Sequence, residues 1–185
     1  YTTLFRSEGA YSVRAIKKSE RRKLPAAPFT TSNLQQEASR KLNFNTGKTM
    51  QIAQQLYEGV ELAGEGLQGL VTYIRTDSTR ISDEALFSVR EMIKNTYGEP
   101  YLPAEPNIYK SRKTAQDAHE AIRPTDISRR PEAIKSSLTR DQFRLYRLIY
   151  DRFVSSQMTP AVFDTLSADI AGENGLTFHL AGQKM

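Results

Sequence analysis

The sequence predicts an α+β fold, mostly α, in which a helical domain is inserted into a domain of β-strands. Alternating apolar and polar residues, typical of strands, lie near both ends of the chain, whereas in between apolar residues recur every three to four positions. A proline-containing stretch, Leu24–Pro28, marks a boundary. We therefore expect residues 1–24 and 159–185 to form the two parts of the β domain, and residues 25–158 the helical domain. The last helix is compatible with either domain.

The first elements are a strand and a pair of helices. Tyr11–Ile16 alternates as a half-buried strand does, and a basic stretch, Lys17–Lys23, follows it. Ser32 is the expected N-cap of the first helix, with Gln35 as its capping-box partner, and Thr46 is the expected N-cap of the second. Two short helices joined by a short turn are typical of a helix-turn-helix and also of a plain helical hairpin, which is the commoner arrangement.

The middle of the chain predicts a loop, an extended stretch and a third helix. The glycine-rich stretch Gly59–Gly69 indicates a loop, and Leu70–Ile74 is short, apolar and partly β-branched, as extended segments are. Ser82 is the expected N-cap of a helix that ends at Gly98. Its predicted apolar stripe consists of Leu86, Val89, Met92 and Ile93.

The last third predicts two helices and a pair of strands. The stretch 99–113 is rich in proline and polar residues and indicates a loop. Thr114 is the expected N-cap of a short helix that ends near Arg123, because a proline follows. Thr139 is the expected N-cap of a longer helix. The two strands are then predicted at 165–170 and 176–180, on either side of the turn Gly172–Gly175.

The amino-acid composition excludes some kinds of site and favours one kind of partner. The chain has no cysteine, which excludes disulfides and thiolate metal sites, and its two histidines argue against a histidine metal cage. A formal net charge of +5 modestly favours a nucleic-acid partner.

Asn45–Thr49 is similar to the end of a phosphate-binding P-loop, but Leu42 stands where that motif needs glycine, which argues against an ATP site. We find no apolar run long enough for a bilayer and no signal peptide, and we expect the chain to be a piece of a longer protein.

One short stretch concentrates groups suited to phosphoryl chemistry. Leu70–Ser78 brings a phenol, a guanidinium, several hydroxyls and a carboxylate together, and in an extended chain Tyr73 and Arg75 point to the same side. A free tyrosine has a pKa near 10, so forming its phenolate at neutral pH costs about 4 kcal/mol. A nearby guanidinium favours the phenolate and also binds phosphate oxygens. The same residue types also occur in ordinary strands with a buried tyrosine and an exposed arginine.

A second cluster lies downstream, at Ala115–Thr125. If this stretch is helical, His119 and Arg123 lie on one helix face. Arg123 would then be a second cation, and His119 a phosphate donor or a proton carrier. An ordinary surface helix with incidental charges explains the same pattern.

Together the two clusters resemble the signatures of bacterial type IA DNA topoisomerases. Thr72–Ser78 is similar to the catalytic tyrosine motif of that family, and Ala118–Thr125 to its second signature. Three further segments, Pro28–Ala38, Ala53–Gly59 and Ser156–Ala161, resemble other parts of the same family. The resemblance covers most of the region from Pro28 to Ala161.

The resemblance implies a fold, an activity and partners. The family forms a toroid of four domains, in which the helical domain with the tyrosine is mounted on a β-strand arch. It cleaves one DNA strand through a 5′-phosphotyrosine link, passes another strand and reseals, which relaxes negatively supercoiled DNA without ATP. The implied cofactor is Mg²⁺, held in a separate Toprim domain, with no metal ligand in this chain. The implied partners are a single-stranded segment of DNA and the remaining domains of the polypeptide, in the bacterial cytoplasm and nucleoid.

The resemblance also assigns roles to residues. It makes Tyr73 the nucleophile, Arg75 the group that orients the tyrosine and the scissile phosphate, and His119 a contact to DNA phosphate at the site. Supporting or DNA-contacting roles fall to Glu58, Thr72, Asp77 and Arg123.

The sequence differs from the family pattern in two respects, and two alternative functions are also considered. The stretch between Glu58 and Tyr73 is longer than in the shortest family members, and no Toprim domain is present, so we expect the chain alone not to relax DNA. One alternative is a non-catalytic, basic helix-turn-helix module that binds DNA, which has no need of the Tyr73-x-Arg75 pair. The other is a tyrosine recombinase or a relaxase, but the spread arginines of the first and the histidine metal cluster of the second are not found here.

Overall fold

The computed structural model describes residues 10–109, 119–172 and 175–185. Among these residues the helices are α1 Thr31–Leu42, α2 Thr46–Glu58, α3 Asp83–Tyr97 and α4 Arg140–Ser156, and the strands are β1 Tyr11–Lys23, β2 Val60–Leu62, β3 Gly66–Gln68, β4 Ala161–Gly172 and β5 Thr177–Lys184. The chain divides into two compact units. One comprises the residues up to Leu24 together with Pro160–Met185, and the other comprises Pro25–Thr159.

The first unit is an antiparallel sheet with the strand order β1-β4-β5. Strand β1 pairs with β4 from Tyr11 opposite Gly172 to Lys23 opposite Ala161, with one register shift near its start. The expected strands are present, but the expectation that the first ends at Ile16 is wrong, because the basic stretch continues the same ladder. All of β1 is exposed, so long charged side chains fit a strand there.

The first two helices of the second unit, α1 and α2, have N-caps other than the expected ones. Thr30, not Ser32, caps α1: its side chain accepts a hydrogen bond from the backbone N–H of Asn33. Asn45, not Thr46, caps α2, since its side-chain oxygen lies 2.8 Å from the backbone nitrogen of Lys48. The observed caps lie two positions before the expected one in α1 and one position before it in α2, and each has the extended backbone and the side-chain oxygen that a cap requires. The helices themselves are confirmed.

A β-hairpin follows α2 where a loop was expected. Strands β2 and β3 pair antiparallel, with Val60 opposite Gln68 and Leu62 opposite Gly66. Gly64 and Gly66 adopt positive φ angles of 81° and 72°, which suit the tight turn between β2 and β3. The glycines therefore mark the turn of a hairpin, and its end, Gln68, lies five residues before Tyr73 in the sequence.

The remaining helices follow their predicted patterns. Ser82 caps α3, and Gly98 ends it with a φ of 93°. Thr139 and Gln142 form a capping box at the start of α4. The core of this unit is apolar and continuous; its largest fully buried side chains include Phe29, Leu34, Leu56, Ile74, Ile93, Ile122, Tyr146 and Phe153. No helix among the described residues is long and apolar enough to cross a membrane.

The expected helix that ends near Arg123 is wrong over its described part. Residues 114–118 lie outside the described residues, and residues 119–123 are not helical. Ile122 instead forms an isolated antiparallel bridge with Phe29, and the backbone N–H of Ala121 donates to the carbonyl of Arg80 at 2.9 Å. The stretch is extended because neighbouring segments, rather than its own turns, satisfy its backbone.

Candidate active site

The segment that bears Tyr73 is anchored by the backbone on its N-terminal side. The N–H of Leu70 donates to the carbonyl of Leu56 at 2.7 Å, which joins the segment to the last turn of α2. The N–H of Thr72 donates to the carbonyl of Arg123 at 3.0 Å. Tyr73 therefore follows two fixed points, one on α2 and one on the stretch that carries His119.

A single threonine anchors the segment on the C-terminal side of Tyr73. The Thr31 hydroxyl lies 2.7 Å from the carbonyl oxygen of Ile74 and accepts from the backbone N–H of Thr76 at 2.9 Å. The backbone N–H of Thr31 also donates to the carbonyl of Thr76 at 2.9 Å. Thr31 is the first residue of α1, so the helix start fixes the chain just beyond the tyrosine.

Side chains alternate along this segment although it is not a regular strand. Val71 makes one isolated bridge, to Pro124, and bends follow at Thr72, Ile74 and Arg75. Exposure nevertheless alternates: the exposed residues are Tyr73, Arg75 and Asp77, and the buried ones between them and after are Ile74, Thr76 and Ser78. The expectation that Tyr73 and Arg75 share a side agrees with this alternation.

Two rings contact the Tyr73 ring. The His119 ring lies 5.9 Å from it, centroid to centroid, at an interplanar angle of 32°. The Tyr57 ring lies 5.6 Å away at 67°, an edge-to-face contact. Tyr73 itself is 42% exposed. The structure thus brings the two sequence clusters together at the tyrosine and adds a third ring, Tyr57, that sequence reasoning did not single out.

Arg75 and Arg123 are in opposite electrostatic situations. Arg75 is exposed, and within the described ranges it makes no hydrogen bond or ion pair through its side chain. Arg123 has a side chain only 13% exposed, ion-paired with Glu120 at 2.7 Å. Its remaining donors go to the Pro124 carbonyl at 2.9 Å and the Ser82 hydroxyl at 3.3 Å. Only Arg75 of these two presents an uncompensated positive charge, and Arg123 does not share a helix face with His119.

Thr72, Asp77 and Glu58 differ in how far they engage the site. The Thr72 hydroxyl donates to the carbonyl of Ala121 at 2.7 Å and accepts from the N–H of Arg123 at 3.0 Å, so its hydrogen bonds are internal. Asp77 is exposed beside Arg75 in the alternation. Glu58, at the end of α2, accepts a hydrogen bond from Gln54 at 2.6 Å. Across the described residues, no hydrogen bond or ion pair joins Glu58 to the Tyr73 segment.

The described residues contain no group of three or more His, Asp or Glu side chains placed to hold a metal ion. The part of the chain that the structure describes therefore does not fit a Mg²⁺ site.

Comparison with known proteins places this architecture in a family. A family model described as DNA topoisomerase matches residues 1–185, which defines the class of protein. The structure of full-length topoisomerase I from Thermotoga maritima superposes with a TM-score of 0.81 and is 40% identical over 98% of this chain and 29% of that chain. The chain therefore belongs to the bacterial type IA DNA topoisomerases. It spans less than a third of the length of the Thermotoga enzyme it matches.

Proposed function

We propose that this chain carries the nucleophile of an ATP-independent type IA topoisomerase, and that Tyr73 is that nucleophile. The observation that supports it best is the exposed Tyr73 ring, which contacts the ring of His119 at 5.9 Å and lies two residues before the exposed Arg75. Within the described residues the Tyr73 hydroxyl has no hydrogen-bond partner, so it is available to an incoming phosphate.

The proposed step is a transesterification. The Tyr73 oxygen forms a bond to phosphorus while the bond from phosphorus to the 3′ oxygen of the preceding nucleotide breaks. The phenol proton is lost, the released 3′ oxygen ends as a hydroxyl, and the 5′ phosphate stays on the tyrosine. Resealing reverses these bonds, so no ATP is consumed. Passage of a second strand between the two steps relaxes negatively supercoiled DNA in the bacterial cytoplasm, at the nucleoid.

The residues near Tyr73 have different proposed roles, which follow from the chemistry of their side chains. Arg75, with five N–H donors, holds the non-bridging phosphate oxygens and stabilises the charge that develops on them. His119 contacts the same phosphate from the other segment. Thr72 and Arg123 act from within the protein, by holding the two segments together. Asp77 and Glu58 contact DNA at the edges of the site.

The whole enzyme is proposed to use Mg²⁺, which supplies positive charge to the DNA phosphates. Because the described residues do not fit a metal site, we propose that a Toprim domain of the same polypeptide holds the ion. We further propose that both units belong to a four-domain toroid formed by the whole enzyme, the strand unit as part of a β-strand arch domain and the helical unit as the domain with the tyrosine. The chain alone is then expected not to relax supercoiled DNA, and Mg²⁺-dependent relaxation by the purified chain would contradict this.

The decisive test is a search for a covalent adduct. The chain is mixed with a separately supplied, Toprim-containing part of a type IA topoisomerase, Mg²⁺ and labelled single-stranded DNA, and the mixture is then denatured. We expect protein attached to the 5′ end of the cleaved DNA with the wild-type chain and none with Tyr73→Phe. An adduct that survives in Tyr73→Phe places the nucleophile elsewhere. With folding and assembly verified, the absence of any adduct favours a non-catalytic helix-turn-helix module.

A further inference from the structure

We propose that Tyr57 is a positioning residue for the nucleophile: its ring holds the Tyr73 ring in the orientation needed for attack. This inference rests on the proposed function of Tyr73. The two rings meet edge to face at 5.6 Å and 67°, and the His119 ring contacts Tyr73 at 5.9 Å. Tyr73 therefore has a ring neighbour on α2 as well as one from the downstream segment.

A nucleophile that is 42% exposed needs such a neighbour. Exposed side chains change rotamer within picoseconds to nanoseconds, and each rotamer of tyrosine places its hydroxyl several ångströms from the next. Attack on phosphorus requires the oxygen within about 3–3.5 Å and in line with the leaving group. Two ring contacts restrict the side-chain torsions of Tyr73 without covering its hydroxyl, which increases the fraction of molecules ready to react.

Tyr57 is suited to this role because its own backbone is fixed. It precedes the last residue of α2, and Leu56 beside it is fully buried. The Leu56 carbonyl accepts from the N–H of Leu70, and Gly69 packs so tightly that a Cβ there would lie 2.8 Å from the Tyr57 carbonyl oxygen. The end of α2 that carries Tyr57 and the segment that carries Tyr73 are thus joined three residues before Tyr73.

The contact uses the ring of Tyr57 and not its hydroxyl. Within the described residues the Tyr57 hydroxyl has no hydrogen-bond partner, and the residue is 39% exposed. Phenylalanine therefore preserves the edge-to-face contact, whereas leucine removes the ring and its quadrupole. This difference separates a positioning role from a hydrogen-bonding role.

The experiment uses the full-length enzyme with Mg²⁺ and a labelled single-stranded oligonucleotide. The single-turnover rate of adduct formation is measured at saturating enzyme, and the DNA dissociation constant is measured separately. For Tyr57→Leu we expect the rate to fall about five- to tenfold, as the loss of one aromatic pair implies, with the dissociation constant changed less than about twofold. Tyr57→Phe should keep the rate within about twofold of wild type. The control, Tyr97→Leu, removes an exposed tyrosine that pairs with Tyr101 instead, and should leave the rate unchanged.

Each outcome decides the question. A wild-type rate in Tyr57→Leu, an equal loss in Tyr57→Phe, or a loss explained wholly by weaker DNA binding would overturn the inference. Should Tyr57→Leu melt below the assay temperature, Tyr57→Met, which keeps bulk without a ring, is measured against Tyr57→Phe at matched melting temperature. Tyr73→Phe is run alongside: an adduct that persists there refutes the proposed function itself, whereas its loss there, with an unaltered rate in Tyr57→Leu, refutes only the role of Tyr57.

Discussion

At the residue scale, the Thr72 hydroxyl connects the two segments of the site. It donates to the Ala121 carbonyl at 2.7 Å and accepts from the Arg123 N–H at 3.0 Å, while the Thr72 backbone donates to the Arg123 carbonyl at 3.0 Å. Thr72 is next to Tyr73, and the segment it binds carries His119. One side chain therefore sets the spacing between the proposed nucleophile and its histidine neighbour.

Replacing that hydroxyl should separate the two segments. Thr72→Val keeps the shape of the side chain but leaves the Arg123 N–H and the Ala121 carbonyl without this partner. We expect the free energy of unfolding in urea to fall by about 1–2 kcal/mol, and adduct formation to slow. Thr72→Ser retains the hydroxyl and is expected to stay near wild type in both measurements. Equal stability of Thr72→Val and the wild type would show that the hydroxyl is not part of the link.

The residues of the site differ in how far the sequence reveals them. Tyr73 and Arg75 are close in sequence, so their common side follows from the geometry of an extended chain. The family resemblance assigned His119 a contact to DNA phosphate at the site, but no sequence pattern predicted the contact between its ring and Tyr73. Tyr57 was missed because its ring reaches Tyr73 only after the β2–β3 hairpin returns the chain to the end of α2, and periodicity carries no information on such a return.

At the scale of elements, amphipathic patterns predicted α1 to α4 and the strands of the sheet, because helix and strand periods differ. The hairpin was missed because its strands have only three residues each, too few for a period to show. The stretch 119–123 was misread because a threonine cap and a following proline fit a short helix, whereas backbone partners from Phe29, Arg80 and Thr72 hold it extended. Long-range hydrogen bonds outweighed a weak local preference.

The join between the hairpin and α2 should tolerate no side chain at Gly69. A Cβ there would lie 2.8 Å from the Tyr57 carbonyl oxygen, so the backbone must move in Gly69→Ala. We expect this change to cost about 1–3 kcal/mol of unfolding free energy, as overpacking does, and to reduce adduct formation. The matched control is Gly47→Ala inside α2, where the nearest atom is 3.6 Å away; it should stabilise by about 0.5–1 kcal/mol. Thermal melts of the two variants should therefore shift in opposite directions.

Helices α1 and α4 are joined by an acid-sensitive contact. Glu37 pairs with Lys41 at 3.1 Å on its own helix and with Arg152 of α4 at 3.3 Å. The hydrogen bond from Lys41, and then the nearby positive charges, lower the pKa of Glu37 below its usual value of 4.5. A carboxyl with a lowered folded-state pKa contributes stability above the unfolded value, and that contribution is lost as the pH falls through the folded value.

Removing this carboxylate should change the pH dependence of stability in a defined direction. Glu37→Gln is expected to lower the unfolding free energy by about 1 kcal/mol at neutral pH. The gap to wild type should then narrow as the pH falls below 4.5 and close as the pH falls through the lowered folded-state pKa, where the wild-type carboxyl becomes protonated. Glu91→Gln, at an exposed acid without an ion pair among the described residues, provides the control and should leave the profile unchanged. A gap that stays constant down to the pH at which the wild type unfolds in acid would exclude this account.

At the scale of the whole molecule, the chain has 26 basic and 21 acidic residues, so its excess positive charge is small. Many of the basic groups are already paired with carboxylates: Arg123 with Glu120, Arg129 with Glu65, and Arg147 with Asp151. The net charge therefore does not indicate which basic side chains contact DNA. Arg75, exposed two residues from Tyr73, is a cation that has no ion pair among the described residues.

This difference between paired and unpaired arginines should appear in the salt dependence of DNA binding by the full-length enzyme. Each phosphate contact on a single strand adds roughly −0.7 to the slope of log affinity against log salt concentration. Arg75→Gln should therefore make the slope shallower by about 0.7, with weaker binding at low salt, since one counterion-releasing contact is lost. Arg147→Gln removes an arginine whose charge is shared with Glu132 and Asp151, and should leave the slope unchanged. If both variants change the slope equally, binding depends on overall charge, and the proposal that Arg75 holds the scissile phosphate loses its electrostatic support.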